Sequence, residues 1–312
     1  MVLQTNLMTT YVGIGNREDL IDYIFNVDPL DTPAVSMFQR ATARAVLHEW
    51  QTQAYAAAAA NAQLEGDDVD AEAATATVRL SNTCQISYKV PGVSRTQNVV
   101  RHAGRESEMS YQVDIRLAEL KRDFEFNIMR NTAENTGSAT VQRVAGSIDT
   151  WYETNVSRGV GGTSGGAGNT AATDGTQRAF TETLLQGVIQ DVWTNGGDPD
   201  CVMVGAFNKR AMSAFTGNAT RVKTAEDNRL VASIKIYESD WGELQVIPNR
   251  FQRSRDAHVL QKNMWAVAWL DPVSITPLGK LGDGDYSLVV GEWTLESRNQ
   301  RASGIVADLN TS

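Results

Sequence analysis

The chain is poor in cysteine. Cys84 and Cys201 are the only two in 312 residues. So wide a spacing gives neither a metal-binding cysteine pair nor a disulfide framework. Both are expected to be free thiols in a reducing compartment. Long apolar runs are missing too. None approaches the about 18 residues needed to cross a bilayer, so no membrane partner is expected. The opening stretch, MVLQTNLMTTYVGIGNREDL, has no charged region followed by an apolar one. No signal peptide is therefore expected, and synthesis should be cytosolic. Positive charge is also scarce: 28 Lys and Arg stand against 37 Asp and Glu, a net charge of -9. That excludes a broad basic footprint on phosphate backbones. It leaves room for a protein that encloses nucleic acid without gripping it.

Signatures of chemistry are equally sparse. There is no G-x-x-x-x-G-K-S/T loop and no G-x-G-x-x-G, so no phosphate cradle by motif. GTSGG (Gly162 to Gly166) matches the G-x-S-x-G elbow of hydrolases. It lies in a glycine-rich stretch without the strand before and helix after that would expose Ser164. Asp68, Asp70 and Glu72 alternate like the start of a calcium loop. The sixth position is Ala73 instead of glycine and the twelfth is Arg79 instead of glutamate, so the loop fails. GDGDY, from Gly282 to Tyr286, reads as a turn. The three histidines, His48, His102 and His258, fall in different elements with no second ligand at helical or hairpin spacing. No catalytic residue, metal or cofactor is assigned.

What is present is an ordinary globular composition, 42% apolar and 21% charged, long enough for one large domain or two. GNREDLIDYIFNVDP reads as a short helix. Asn16 caps it, Asp19 sits three residues on, and Leu20, Ile21, Ile24 and Phe25 form its apolar stripe. DTPAVSMFQRA follows with Thr32 at the cap and Pro33 in the first turn. Together they form an N-terminal arm that either packs on the domain or reaches beyond it. Arg105 to Asn131 contains no Gly or Pro. Met109, Val113, Leu117, Leu120, Phe124 and Ile128 recur at spacings of 3 and 4, which predicts one amphipathic helix of about 27 residues, about 40 Å long. Ser157 to Thr176, SRGVGGTSGGAGNTAATDGT, is low-complexity and expected to be a flexible, exposed loop or linker. Then come a helix capped by Thr181, with Leu184, Leu185, Val188, Ile189 and Val192 on its core face, and a buried strand CVMV. A helix AFNKRAMSAF and several strands follow, among them MWAVAWL and YSLVVGEWTLESRN. For Trp265 and Trp269 core packing is expected. The fold class is α+β.

One stretch fits no core. YAAAAANAQLEGDDVDAEAATATVRL runs from Tyr55 to Leu80, and no Lys or Arg occurs between Gln51 and Val78. VLHEWQTQAY alternates before it, and CQISYKV after it places Ile86, Tyr88 and Val90 on one side. This reads as a long hairpin whose distal part packs on nothing of its own. Ala56 to Gln63 is alternatively a short helix, since alanine favours one, though a lone helix that short is marginal in water. Either way the tip needs a surface from elsewhere, unless it is simply a loose surface loop.

In order and content the chain resembles the major capsid proteins of tailed bacteriophages, the Hong Kong 97-type fold. REDLIDYIFNVDPLDTPAVSMF, HEWQTQAY, LEGDD, WGELQVIPNRF and WTLESRNQRASGIV are similar to the SU-ten-like capsid family over nearly the whole chain. The resemblance implies an arm over residues 1–48 and an extended E-loop hairpin over 49–98. It implies a peripheral domain from 99–135 and 286–312 with a spine helix at 105–131, and an axial domain at 136–285. Tyr55, Leu64, Glu65, Asp67, Asp68, Asp70 and Glu72 would contact a neighbouring subunit, the carboxylates pairing with arginines there. Pentamers and hexamers would close an icosahedral virion shell around double-stranded DNA, aided by portal, scaffolding and decoration proteins, and assembled in the host cytoplasm. Some members of this fold weld subunits through a lysine on the E-loop. Here the first lysine is Lys89, beyond the tip, so no such cross-link is expected. An encapsulin-like compartment shell, or a soluble hydrolase with a dispersed site, are the competing readings.

Overall fold

A computed structural model describes residues 28–66, 71, 73–215, 235–280 and 282–312. The helix expected around Asn16 to Phe25 lies outside them. The spine helix is present as α3 (Glu108–Ile128), 21 residues instead of 27. Local chemistry trims it at both ends. Ser107 is extended and its side chain accepts from the Ser110 amide, which sets the start. At the other end Asn131 is drawn away: its amide donates to Ala172 O (2.6 Å) and its side-chain oxygen accepts from Ala172 N (2.8 Å). Leu120, Phe124 and Ile128 are buried, and Val113 and Leu117 pack against the same core.

That face lies on a five-stranded sheet. Its order is β1 (Gln39–Thr42), β11 (Trp265–Pro277), β12 (Gly284–Ser297) and β4 (Gln85–Lys89), with β5 (Gly92–Ser94) pairing β12 further along. Phe124 meets Trp269 and Trp293 edge-on at 5.3 and 5.5 Å between ring centres, the geometry that the ring quadrupoles favour. Burying Phe124 is worth about 2–3 kcal/mol. Trp265 is fully buried and its indole donates to Ser303 Oγ at 2.9 Å. Two short helices, α1 (Pro33–Met37) and α2 (Arg95–Val99), lie against the spine.

The N-terminus of α1 is capped from a distance. Thr32 precedes Pro33 as expected, but its hydroxyl makes no cap. Instead the Glu125 carboxylate, fully buried on the spine, accepts from Ala34 N and Val35 N, both at 2.8 Å. Two charged-face oxygens serve two orphan amides at once. Burial pushes the Glu125 carboxyl above its ordinary value, against the pull of these bonds.

A six-stranded sheet forms the second layer: β6 (Val156–Ser157), β13 (Gly304–Val306), β10 (Ala257–Leu260), β7 (Cys201–Val204), β9 (Gly242–Pro248) and β8 (Ile236–Ser239). Against it pack α4 (Glu182–Thr194), through Leu185, Val188, Ile189 and Val192, and α5 (Ala206–Ser213). The mixed α+β class is as expected. The boundary expected at 285/286 does not follow the sheets. β11 and β12 pair as one hairpin across it, while β13, near the C-terminus, belongs to the six-stranded sheet. Among the described residues no helix is long and apolar enough to cross a membrane.

The hairpin also differs from expectation. β2 (Leu47–Thr52) pairs β3 (Val78–Thr83), from Leu47 opposite Thr83 to Thr52 opposite Val78. The alternating run after Cys84 is not the returning arm: Gln85–Lys89 pairs β12 in the central sheet. Period-2 alternation marks a strand with two unlike faces, and cannot say which sheet holds it.

Candidate functional site

The β2–β3 hairpin is fixed firmly at its base. Trp50 donates its indole N–H to Ser297 O at 2.8 Å and lies tilted against Trp151, 5.4 Å between ring centres. His48 Nε2 lies 3.1 Å from Glu296 Oε2. Asn82 is fully buried and fully used. Its amide donates to Gly146 O and Leu295 O, and its oxygen accepts from Gly146 N. Thr83 Oγ1 donates to Glu134. These bonds join the hairpin to β12 and to the segment after the spine, so its direction is set by the body.

Beyond Thr52 this order stops. Residues 53–66, 71 and 73–77 carry no helix or strand and every one is exposed. The five alanines do not form a helix, because nothing packs on them to offset the cost of nucleating one. Tyr55 is 100% exposed and Leu64 80%. One bond crosses the loop, from Gln53 Nε2 to Thr75 O at 3.0 Å. Tyr55, Leu64 and Glu65 lie on one exposed loop without helix or strand. Asp67, Asp68, Asp70 and Glu72 lie outside the described residues, and so does the failed calcium pattern.

Other apolar side chains are exposed as well. Ile86 and Tyr88 on β4 are 45% and 62% exposed, and Phe126 on the spine 42%. The i, i+2 alternation of Ile86, Tyr88 and Val90 was visible. That their face points outward follows only from the pairing of β4 with β12.

The glycine-rich segment departs furthest from expectation: it is folded. Thr163 bridges Thr173, and Gly166 bridges Thr170. Asp308 Oδ2 accepts from Gly159 N at 3.0 Å and its Oδ1 from Gly175 N at 2.8 Å, so one carboxylate closes the loop on itself. Asp308 holds a left-handed backbone, φ 60°, to do this. At Gly168, φ 78°, a Cβ would stand 2.5 Å from the Trp151 ring. Ser164 sits between the two bridges, with no strand-to-helix elbow.

Around this loop lies a knot of charge. Arg253 forks onto Asp174, both bonds at 2.7 Å, and reaches Asp149 and Asp256 at 3.4 Å. Arg255 Nη2 donates to Asp308 Oδ1 at 2.8 Å. His258 Nδ1 lies 3.2 Å from the Tyr152 hydroxyl and its Nε2 3.5 Å from Asp149. Burial, helped by Arg253 and Arg158, pushes His258 down to about 3. Burial and the neighbouring Asp256 carboxylate push Asp149 well above its usual range. An imidazole held low beside a carboxyl held high is a pattern that proton chemistry uses. Asp149, Asp256, His258 and Asp308 are each no more than 1% exposed, so these four offer no face to a substrate, while Asp174 at the rim is open to solvent; the knot fastens the loop.

The remaining candidates are separate. His102 Nε2 donates to Gln97 O, 2.7 Å away, and the ring lies 3.9 Å from Glu108. Cys84 and Cys201 are buried and unpaired. Burial pushes the Cys84 thiol up to about 11 and Cys201 higher still, so neither is a ready nucleophile. No group of three His, Cys, Asp or Glu among the described residues is placed to hold a metal.

Comparison with known proteins places this architecture. The profile of the SU10 major capsid protein family matches residues 4–310. A major capsid protein of Escherichia phage Phieco32 is 25% identical, over 96% of each chain. In structure the chain is similar to a protein of the cyanophage A-1(L) capsid asymmetric unit, with a TM-score of 0.67 at 12% identity over 99% of this chain and 100% of that one. A Gordonia phage Cozz protein gives 0.61 at 9% identity, covering 100% and 99%. The encapsulin of Synechococcus elongatus shares the fold at 0.54 and 10% identity, over 93% and 94%, below these two phage proteins. The chain is a phage major capsid protein of Hong Kong 97-type fold, a component of the virion shell, and it belongs to the SU10 major capsid protein family.

Proposed function

We propose that this subunit builds its shell by laying the 53–77 loop on a neighbouring copy, within pentamers and hexamers that close around double-stranded DNA. The observation that carries this is a loop exposed throughout its described residues, raised on a hairpin whose base is bonded to the body at four side chains, His48, Trp50, Asn82 and Thr83. A segment without a core of its own gains order only from an external surface. Its alanines let it lie flat, and Leu64 and Tyr55 supply apolar anchors. Its carboxylates, Glu65, Asp67, Asp68, Asp70 and Glu72, pair with basic side chains there.

In this reading residues 1–48 are the arm and 49–98 carry the E-loop. The five-stranded sheet with the spine forms the peripheral domain, and the six-stranded sheet with α4 and α5 the axial one. The subunit performs no reaction; its cohesion comes from many weak contacts. The net charge of -9 keeps packaged DNA from adhering to the shell. Portal, scaffolding and decoration proteins complete the particle.

The test is electron microscopy of the purified protein beside its elution volume. Closed polyhedra or rings of five and six are expected. A small oligomer that stays small at high concentration, with and without co-expressed scaffold, would refute the reading. Shells boiled in SDS are expected to run as monomers, since Lys89 lies on β4, paired with Asp123 at 2.8 Å.

A further inference from the structure

The described chain begins at Asp28, and Asp28 forms one wall of a groove. The groove runs between the spine helix and β4. Its floor carries Ile86, Tyr88 and Phe126, three large apolar side chains with 42–62% of their surface open. Asp28 Oδ2 pairs with Arg122 on the spine at 3.3 Å, so the described chain starts at this groove.

Two segments of the family's architecture could cover it: the acidic loop of a second copy, or the residues preceding Asp28. Charge separates them. The walls carry Asp28, Glu119 and Asp123 against Lys89 and Arg122, and those two cations are already paired, Lys89 with Asp123 and Arg122 with Asp28. The one further cation at the floor, Arg130, lies over the Phe126 ring at 3.5 Å, so a loop rich in carboxylates finds little complement there. Residues 16–27 offer Leu20, Ile21, Ile24 and Phe25 at helical spacing. Length fits as well. Phe126 lies four spine residues beyond Arg122, about 6 Å, which one helical turn before Asp28 spans. Tethering at Asp28 also gives the segment an effective concentration on the order of millimolar.

We propose that residues 16–27 seat their apolar stripe in this groove on their own subunit, covering Ile86, Tyr88 and Phe126. The arm is then a fastener between spine and β4, and the acidic loop of a neighbour goes elsewhere. This does not rest on the proposed loop contact or on shell geometry.

The test is disulfide trapping in two independent double variants, Ile24→Cys with Phe126→Cys and Ile21→Cys with Tyr88→Cys. Ile24→Cys with Val160→Cys serves as control, since Val160 is exposed on the glycine-rich loop. Cys84 and Cys201 are buried and do not interfere. After mild oxidation, non-reducing gels should show a faster monomer band that reduction removes. At least one test pair should give about tenfold more of it than the control, as expected for a tethered neighbour. A dimer-to-multimer ladder would mean the groove is covered by another copy and would overturn the proposal. So would no trapping in either pair, or trapping equal to the control. Shell formation is scored separately by microscopy, so a failure of either idea is read without the other.

Discussion

Two loops of this protein are poor in large apolar residues and look alike as sequence, yet one is open and the other is locked. The acidic loop from Gln53 to Thr77 is exposed along its described length. The glycine-rich loop from Ser157 to Thr176 is held by two bridges and by the Asp308 carboxylate. Composition does not separate them. The difference is whether fixed acceptors elsewhere meet the loop's amides. The glycine-rich loop finds one in a residue more than 130 positions away. The acidic loop, on its own subunit, finds almost none.

The largest expected effect falls on the locked loop. Asp308→Ala removes the acceptor of two amides and a partner of Arg255 in a site without water access. The cost is expected at about 3–5 kcal/mol, seen as a Tm lowered by roughly 6–10 °C. A Tm within a degree of the parent would show that the loop is not fastened there. Next comes Gly168→Ala, which adds left-handed strain and a clash with Trp151, about 2–3 kcal/mol together. Gly66 has the same backbone hand, φ 83°, with nothing within 4 Å of an added Cβ. Gly66→Ala should leave Tm unchanged, because strain in an unpacked loop relaxes locally. If the two alanines cost the same, the comparison fails.

Acid should loosen the locked region through His258. Its folded value of about 3 lies below the ordinary 6.5. Below pH 6.5 the unfolded chain takes up a proton that the folded chain refuses until about pH 3. Its contribution is therefore complete above 6.5 and shrinks as pH falls, by at most about 1.4 kcal/mol per unit. Asp149 opposes this, since a raised carboxyl favours the folded state at low pH and loses that contribution as pH rises. His258→Gln should flatten the slope of Tm against pH between 6.5 and 4.5. An unchanged slope would mean that burial does not hold this imidazole neutral. The smallest effect on the subunit, near zero in Tm, is expected from replacing residues 56–75 with a short glycine-serine link. The same change should abolish closed shells. Intact shells from that variant would remove the loop's assigned role.

The spine helix was legible because six apolar residues at spacings of 3 and 4 leave no other element. α4 and the strand Cys201–Val204 were legible for similar reasons. The returning arm of the hairpin was missed, because Val78–Thr83 shows little alternation while Gln85–Lys89 shows it clearly on behalf of another sheet. Nothing in the local pattern marks Glu125; only the approach of α1 turns it into a buried cap. The outward apolar face of Ile86, Tyr88 and Phe126 had no sequence signal, since burial depends on what lies opposite.

By itself the sequence determined the α+β class, the spine, the absence of motif-based chemistry and the coreless acidic loop, because periodicity and composition are local properties. The tertiary structure decided which strands pair, that Asp308 locks the glycine-rich loop, that Glu125 caps α1, and that the histidines are fastened apart. Each of these depends on a hydrogen-bond partner or a packed surface brought from far along the chain, and no local pattern encodes which distant group will arrive.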